Sequence, residues 1–165
     1  MITLRPHERA DIPLRVKWLN NKAANTYLTD APSHVTDISE QTDWFDRYEV
    51  NDGKRFYTVL ADRIPVGFTG LSSIDNKKKC ASIFIMIGED EYRGKGIGKV
   101  ILSKLLEKGR KHGVRSFTLD VFKDNAAARR LYTGLGFTET ECDNSAMVSM
   151  VCTTPPETTV ESQRR

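Results

Sequence analysis

No apolar run in this chain approaches the ~20 residues that a membrane-spanning helix needs, and the opening Met1-Ile2-Thr3-Leu4-Arg5-Pro6 lacks the apolar core of a signal peptide. A soluble, cytoplasmic protein with no membrane partner is expected. Cysteine is scarce. Cys80, Cys142 and Cys152 are odd in number, show no Cys-x-x-Cys spacing and have no histidine cluster nearby, which argues against a disulfide scaffold and against zinc. Charge of one sign is also lacking: 25 basic residues stand against 22 acidic ones, and a net charge of +3 is too mild to argue for nucleic acid. Internal repeats and any sign of a second domain are absent as well.

What remains is 165 residues of ordinary composition. A chain of this length suits one domain that buries about 70% of its unfolded surface. The domain is expected over residues 1–152. Residues 153–165 carry Pro155-Pro156, scattered threonines and no apolar periodicity, and read as a disordered tail. Basic residues cluster at Lys77-Lys78-Lys79, Arg93, Lys108 to His112 and Arg129-Arg130, a distribution suited to a ligand with several phosphates, although solvated surface is the plainer explanation for any one cluster.

Ile2 to Leu4 read as a first strand ended by Pro6, and Asp11 as the N-cap of a helix carrying Ile12, Val16 and Leu19. Residues 22–38 read as a loop with at most a broken helix. Ser39 is the expected cap of an amphipathic helix to about Val50. Tyr27, His34, Trp44, Phe45 and Tyr48 are candidates for a substrate pocket, but aromatics at helical spacing more often form core. Arg55–Ala61 and Val66–Ile74 form an expected hairpin through Asp62-Arg63-Ile64-Pro65. The uninterrupted Ile83-Phe84-Ile85-Met86-Ile87 reads as a strand buried on both faces. A helix from about Gly96 carries Ile97, Val100, Ile101, Leu105 and Leu106 toward the sheet. Val114–Val121 alternates as a strand. Asp124 or Asn125 caps a further helix to Leu135, left through Gly134 and Gly136, and strands from Phe137 to about Glu141 and from Ala146 to Cys152 close the domain.

The most informative stretch joins the apolar strand to the helix after it: Tyr92-Arg93-Gly94-Lys95-Gly96-Ile97-Gly98-Lys99. Glycines alternating at 94, 96 and 98 let the backbone turn sharply and leave no β-carbons to hold a ligand off the amides. At a helix N-terminus those amides lack intrahelical partners and favour an anion, and Arg93 and Lys95 add positive charge. The Walker pattern fails, because Lys99 and Val100 stand where it needs Gly-Lys-Ser/Thr. The dinucleotide fingerprint fails at Lys99 or Ile101, neither of which is its closing glycine.

Arg93, Gly96 and Gly98 match motif A of the GCN5-related N-acetyltransferases, Arg/Gln-x-x-Gly-x-Gly/Ala, which the stretch resembles without a gap. Asn125, Ala128, Leu131, Tyr132, Gly136 and Phe137 match that family's motif B, Asn-x-x-Ala-x-x-Leu-Tyr-x-x-x-Gly-Phe. The resemblance covers most of residues 1–152. It implies a single-domain α/β (α+β) fold in which about four helices flank a mixed, mostly antiparallel sheet of six to seven strands splayed at the cofactor site. It implies acetyl-coenzyme A (acetyl-CoA) as cofactor. Ile85, Met86, Ile87, Arg93, Gly94, Lys95, Gly96, Ile97, Gly98, Lys99 and Asn125 would hold it, with backbone N–H groups near Ile85 to Ile87 polarising the thioester carbonyl. Tyr132 occupies the position of the general acid that protonates the departing thiolate. No metal is implied.

An amine acceptor near pKa ~10 must lose a proton before it attacks. Many relatives carry Glu on the strand before the loop. Here no carboxylate lies between Ala81 and Ile87, which leaves Asp75, Glu49, Glu91, His34 or a water chain as candidate bases. The expected reaction is direct transfer of acetyl to a primary amine, since no cysteine falls in either motif. Leu4-Arg5-Pro6 and Trp18-Leu19-Asn20 loosely resemble the branch that acetylates ribosomal-protein N-termini, polyamines, aminoglycosides and nucleotide-linked aminosugars. A small-molecule amine is the favoured acceptor, a protein N-terminus is second, and a non-catalytic acyl-CoA sensor is an answer of another class. A homodimer is left open.

Overall fold

The computed structural model describes residues 1–26, 34–140 and 146–153. Tyr27, Cys142, Glu141 and the proposed tail beyond Thr153 lie outside the described residues. One seven-stranded sheet organises the chain: β1 (Ile2–Pro6), β2 (Arg55–Ala61), β3 (Ile64–Asp75), β4 (Cys80–Ile87), β5 (Ser116–Phe122), β6 (Thr138–Thr140) and β7 (Met147–Thr153), in the order β1-β2-β3-β4-β5-β7-β6. Every neighbouring pair is antiparallel except β4 and β5, which are parallel because the chain returns through a crossover helix. The expected mixed sheet is present.

Helices cover both faces. α1 (Ile12–Leu19), the single turn α2 (Lys22–Asn25) and α3 (Ile38–Glu49) lie on one side, where Trp18 packs with Phe68 and Met86. α4 (Ile97–Lys111) and α5 (Ala126–Gly134) lie on the other. There Leu102, Leu105 and Leu106 join Leu71, Ala81, Ile83 and Phe117 in the main core. Pairing of the strand pattern with the helical pattern is what selects these faces: Phe117, Leu119 and Val121 alternate inward, and Ser116, Thr118 and Asp120 face the other way.

Several local expectations need correction. Asp37, not Ser39, caps α3, its carboxylate accepting the Glu40 amide at 2.8 Å. Asp11 is the N-cap residue of α1 as expected, but its side chain makes no capping bond, because its carboxylate is taken by Arg5, Thr58 and the Glu8 amide. The hairpin turn is just Asp62-Arg63, both at positive φ, so Ile64 and Pro65 already belong to β3. Val100 is 43% exposed while Leu102 takes the inward place. Of the two glycines leaving α5, only Gly136 is left-handed, at φ 94°. β4 is buried on both faces as expected, Ala81 and Ile83 in the main core and Met86 against Trp18 and Phe68, but Phe84, Ile85 and Ile87 are only half-buried beside an opening in the sheet.

Under α1 and α3 lies a buried polar cluster. His7 Nδ1 is 2.7 Å from Thr58 Oγ1, and that hydroxyl donates to Asp11 at 2.9 Å. The hydroxyl has one proton, so His7 carries its own on Nδ1 and turns the Nε2 lone pair toward Arg15, 3.5 Å away. Arg15 is 4% exposed; its Nε donates to Gln41 at 3.0 Å and its guanidinium stacks 3.6 Å from the Trp44 ring.

Candidate active site

β4 and β5 pair only over Cys80↔Ser116, Ala81↔Phe117 and Ser82↔Thr118. Beyond Ser82 each strand continues without the other, and the gap between them opens into a cavity of about 610 Å³. Ile83 to Ile87 form one wall, Leu119 to Val121 the opposite one, Ala23 and Ala24 of α2 close one face, and the glycine loop with α5 closes the other. A strand edge left unpaired keeps backbone donors and acceptors available to an extended ligand.

The loop is built for an anion. Gly94 and Gly96 stand at φ 71° and 77°, and nothing lies within 4 Å of where a β-carbon would be. Gly96 is the N-cap residue of α4, whose first amides have no helical acceptor. Bare backbone, unpaired amides and nearby positive charge are the donor set a diphosphate needs, so the site fits the expected cofactor. Arg93 departs from the expected free cation. It donates through Nη1 to the Ile87 carbonyl at 3.0 Å and pairs through Nη2 with Asp90, so it braces the turn.

Of the expected site residues, Ile85, Met86, Ile87, Arg93, Gly94, Gly96, Ile97, Gly98, Lys99, Asn125 and Tyr132 all line the cavity. Lys95 does not; it is exposed. Asn125 is the N-cap of α5, its Oδ1 accepting the Ala128 amide at 3.2 Å, which leaves its Nδ2 for a ligand. Tyr132 is 8% exposed and tilts against Phe137 at 5.8 Å. Burial pushes its phenol up to about 12, so the group keeps its proton at neutral pH.

Sequence reasoning missed Asp120. It lines the cavity from β5, and its Oδ1 accepts the Ser149 hydroxyl at 2.5 Å. A usable signal was present: Asp120 is the one carboxylate on the polar side of a strand that leads straight into the Asn125 to Phe137 motif. The earlier base candidates lie elsewhere. Asp75 accepts the Lys77 and Lys78 amides, which hold its carboxyl below the usual range; Glu49 pairs with Arg9 at 2.5 Å, and His34 pairs with Glu40 at 2.9 Å. Glu91 sits in the 3-10 turn after β4, and none of the four lines the cavity. The aromatic candidates prove structural: Phe45 is buried, and Trp44 and Tyr48 stack at 5.1 Å, with the Tyr48 hydroxyl accepting the Phe56 amide.

Residues 19–137 match the model of the acetyltransferase (GNAT) family. The chain belongs to that family. It has the GNAT fold, and it spans only about half the length of the first relatives it matches. It is 33% identical over 95 residues to an uncharacterized N-acetyltransferase of Methanocaldococcus jannaschii; the match covers 54% of this chain and 42% of that protein's length. To the [ribosomal protein bS18]-alanine N-acetyltransferase of Escherichia coli it is 26% identical over 123 residues, covering 72% of this chain and 82% of the relative. The fold superposes on the spermidine N-acetyltransferase of Vibrio cholerae in complex with CoA and spermine with a TM-score of 0.83, at 22% identity, over 93% of this chain and 95% of the other. Among the described residues no helix is long and apolar enough to cross a membrane, and no group of His, Cys, Asp and Glu is arranged to hold a metal ion.

Proposed function

We propose that this GNAT protein transfers acetyl from acetyl-CoA directly to the primary amine of a small molecule of the aminosugar, polyamine or aminoglycoside type. The observation that carries the reading is that Asp120, Tyr132 and the glycine loop all line one cavity. The amides from Gly94 to Lys99 bind the diphosphate, and Lys99 adds charge beside them. Asn125 and the free edge of β4 orient the pantetheine arm.

Acetyl-CoA supplies an activated acyl group, and the chain handles the protons. Asp120 takes one from the incoming ammonium, which otherwise has no lone pair. Tyr132 gives one to the thiolate as the carbon–nitrogen bond forms and the carbon–sulfur bond breaks, and the second proton shed by the new amide nitrogen restores the phenol. Backbone N–H groups around Ile85 to Ile87 polarise the carbonyl. Among the described cysteines, neither Cys80 nor Cys152 lines the cavity, which favours direct transfer over an acyl-enzyme. Asp120 also removes the main support for a non-catalytic sensor, since a carboxylate is available after all.

Fold likeness to the spermidine enzyme supports a small acceptor, as do Ala23 and Ala24, which close the cavity on the acceptor side. A protein N-terminus is the second reading, favoured by the bS18-alanine acetyltransferase, most of whose length this chain matches. The test is release of free thiol from acetyl-CoA across a panel of polyamines, aminosugars, aminoglycosides and short alanine-initiated peptides, with mass detection of the acetylated product. Turnover confined to peptides would transfer the assignment to the second reading, and no turnover with either class would end both.

A further inference from the structure

One side chain joins the two walls of the cavity. The Asn21 amide nitrogen donates to the Gly88 carbonyl at 3.2 Å and to Asp90 Oδ1 at 2.7 Å, both on the segment that leads from β4 into the glycine loop. Its amide oxygen accepts the Ala23 N–H at 3.1 Å and so caps α2, the turn whose Ala23 and Ala24 close the acceptor side. Asp90 Oδ1 also receives Arg93, whose other arm holds the Ile87 carbonyl at the cavity wall. A second tie runs parallel: Glu89 accepts the Trp18 indole N–H at 2.8 Å and pairs with Lys17 at 2.6 Å, fastening α1 to the same segment.

We propose that Asn21 is a positioning residue that transmits occupancy of the diphosphate loop, through Asp90 and Arg93, to the placement of the acceptor-side wall. Asn21 Nδ2 and Arg93 share one carboxylate oxygen. An anion seated on the loop amides competes with Asp90 for the Arg93 guanidinium, and Asp90 then turns its freed capacity toward Asn21, which tightens the cap on α2. α2 is a single turn and depends on its cap, because a helix of that length is not stable by itself. Donor binding therefore orders the wall against which the acceptor amine rests. This inference rests on the acetyl-transfer reading for the identity of both ligands.

The test separates the bridge from the cap. Serine caps helices well but cannot reach Asp90, so Asn21→Ser keeps α2 and removes the tie. The amides of Ala24 and Asn25, which donate to the Asn21 carbonyl, report on α2 by hydrogen exchange. Saturating coenzyme A, with no acceptor present, is expected to raise their protection about tenfold in the wild type and less than twofold in Asn21→Ser, a difference of the size a hydrogen bond to a charged group supplies. Asp90→Ala, which leaves the cap untouched, should behave like Asn21→Ser, and the double variant should add nothing further. In turnover, Asn21→Ser should raise the acceptor KM about tenfold with kcat and coenzyme A affinity within twofold of wild type. Equal protection in wild type and variants, or a fall in kcat with the acceptor KM unchanged, would overturn the proposal. If no amine is acetylated, the reaction assignment falls while the exchange result still decides whether the bridge exists.

Discussion

Asp120 and Tyr132 reach one cavity from opposite faces of the sheet: Leu119 and Val121 on either side of Asp120 pack into the same core cluster as Tyr132, and Asp120 projects the other way. In the proposed reaction a thioester lying in the gap between β4 and β5 would meet Asp120, as base, on the side where α2 lies and Tyr132, as acid, on the side where α5 lies. The two roles are separable by substitution.

Tyr132→Phe removes the proposed acid, the hydroxyl, and nothing else from the wall. We expect kcat to fall about 10²-fold, in line with the loss of one general acid, with coenzyme A affinity within twofold of wild type. Thiol release and calorimetric titration of coenzyme A measure the two. An unchanged rate would remove Tyr132 from the acid role.

Asp120→Asn keeps the shape and the Ser149 contact but cannot take a proton. The expected loss in kcat/KM is about 10²-fold at neutral pH, and it should shrink as pH approaches the pKa of the amine, where the acceptor arrives already neutral. A loss that is the same at every pH would indicate a binding role instead.

Gly88 touches Trp18. A β-carbon there would lie 2.1 Å from Trp18 Cγ, and the indole is fully buried with its N–H committed to Glu89. Gly88→Ala should therefore cost about 3 kcal/mol, at the upper end of overpacking effects, and lower the melting temperature by roughly 6–12 °C. A thermal melt within 1 °C of wild type would refute the close contact.

The His7 cluster makes the protein acid-sensitive. Burial, aided by the Arg15 charge, lowers His7 from 6.5 to about 4, so below pH 6.5 the unfolded chain binds a proton that the folded chain refuses. Stability is then lost as pH falls from about 6.5 toward 4, by on the order of 3 kcal/mol. Asp11 extends the loss. Its bonds from Arg5, the Glu8 amide and Thr58 outweigh its burial and hold it near 2, and the stability they confer disappears as pH falls from 3.8 toward 2. Urea midpoints between pH 7 and 4 should fall steadily in wild type and much less in His7→Asn, which preserves the Nδ1 contact with Thr58. Parallel slopes would rule out His7 as the cause.

Much of the site was legible in the residues alone because its parts are local. A left-handed loop needs glycine at Gly94 and Gly96, the cap of α5 needs Asn125, and two helical turns carry Asn125 and Tyr132 to one cavity; each of these is settled within about ten consecutive residues. Asp120 could be read only as one polar position of an alternating strand, since nothing nearby in the chain says that β5 leaves β4 after Thr118. The engagement of Arg93 by Asp90, the diversion of Asp11 from its cap to Arg5 and Thr58, and the displacement of Val100 by Leu102 were likewise outside its reach. Short-range backbone geometry is dictated by neighbouring residues, which the sequence determined here. Which side chain faces the opening, and which charge is already spoken for, depends on partners tens of residues away, and only the packed tertiary structure decided that.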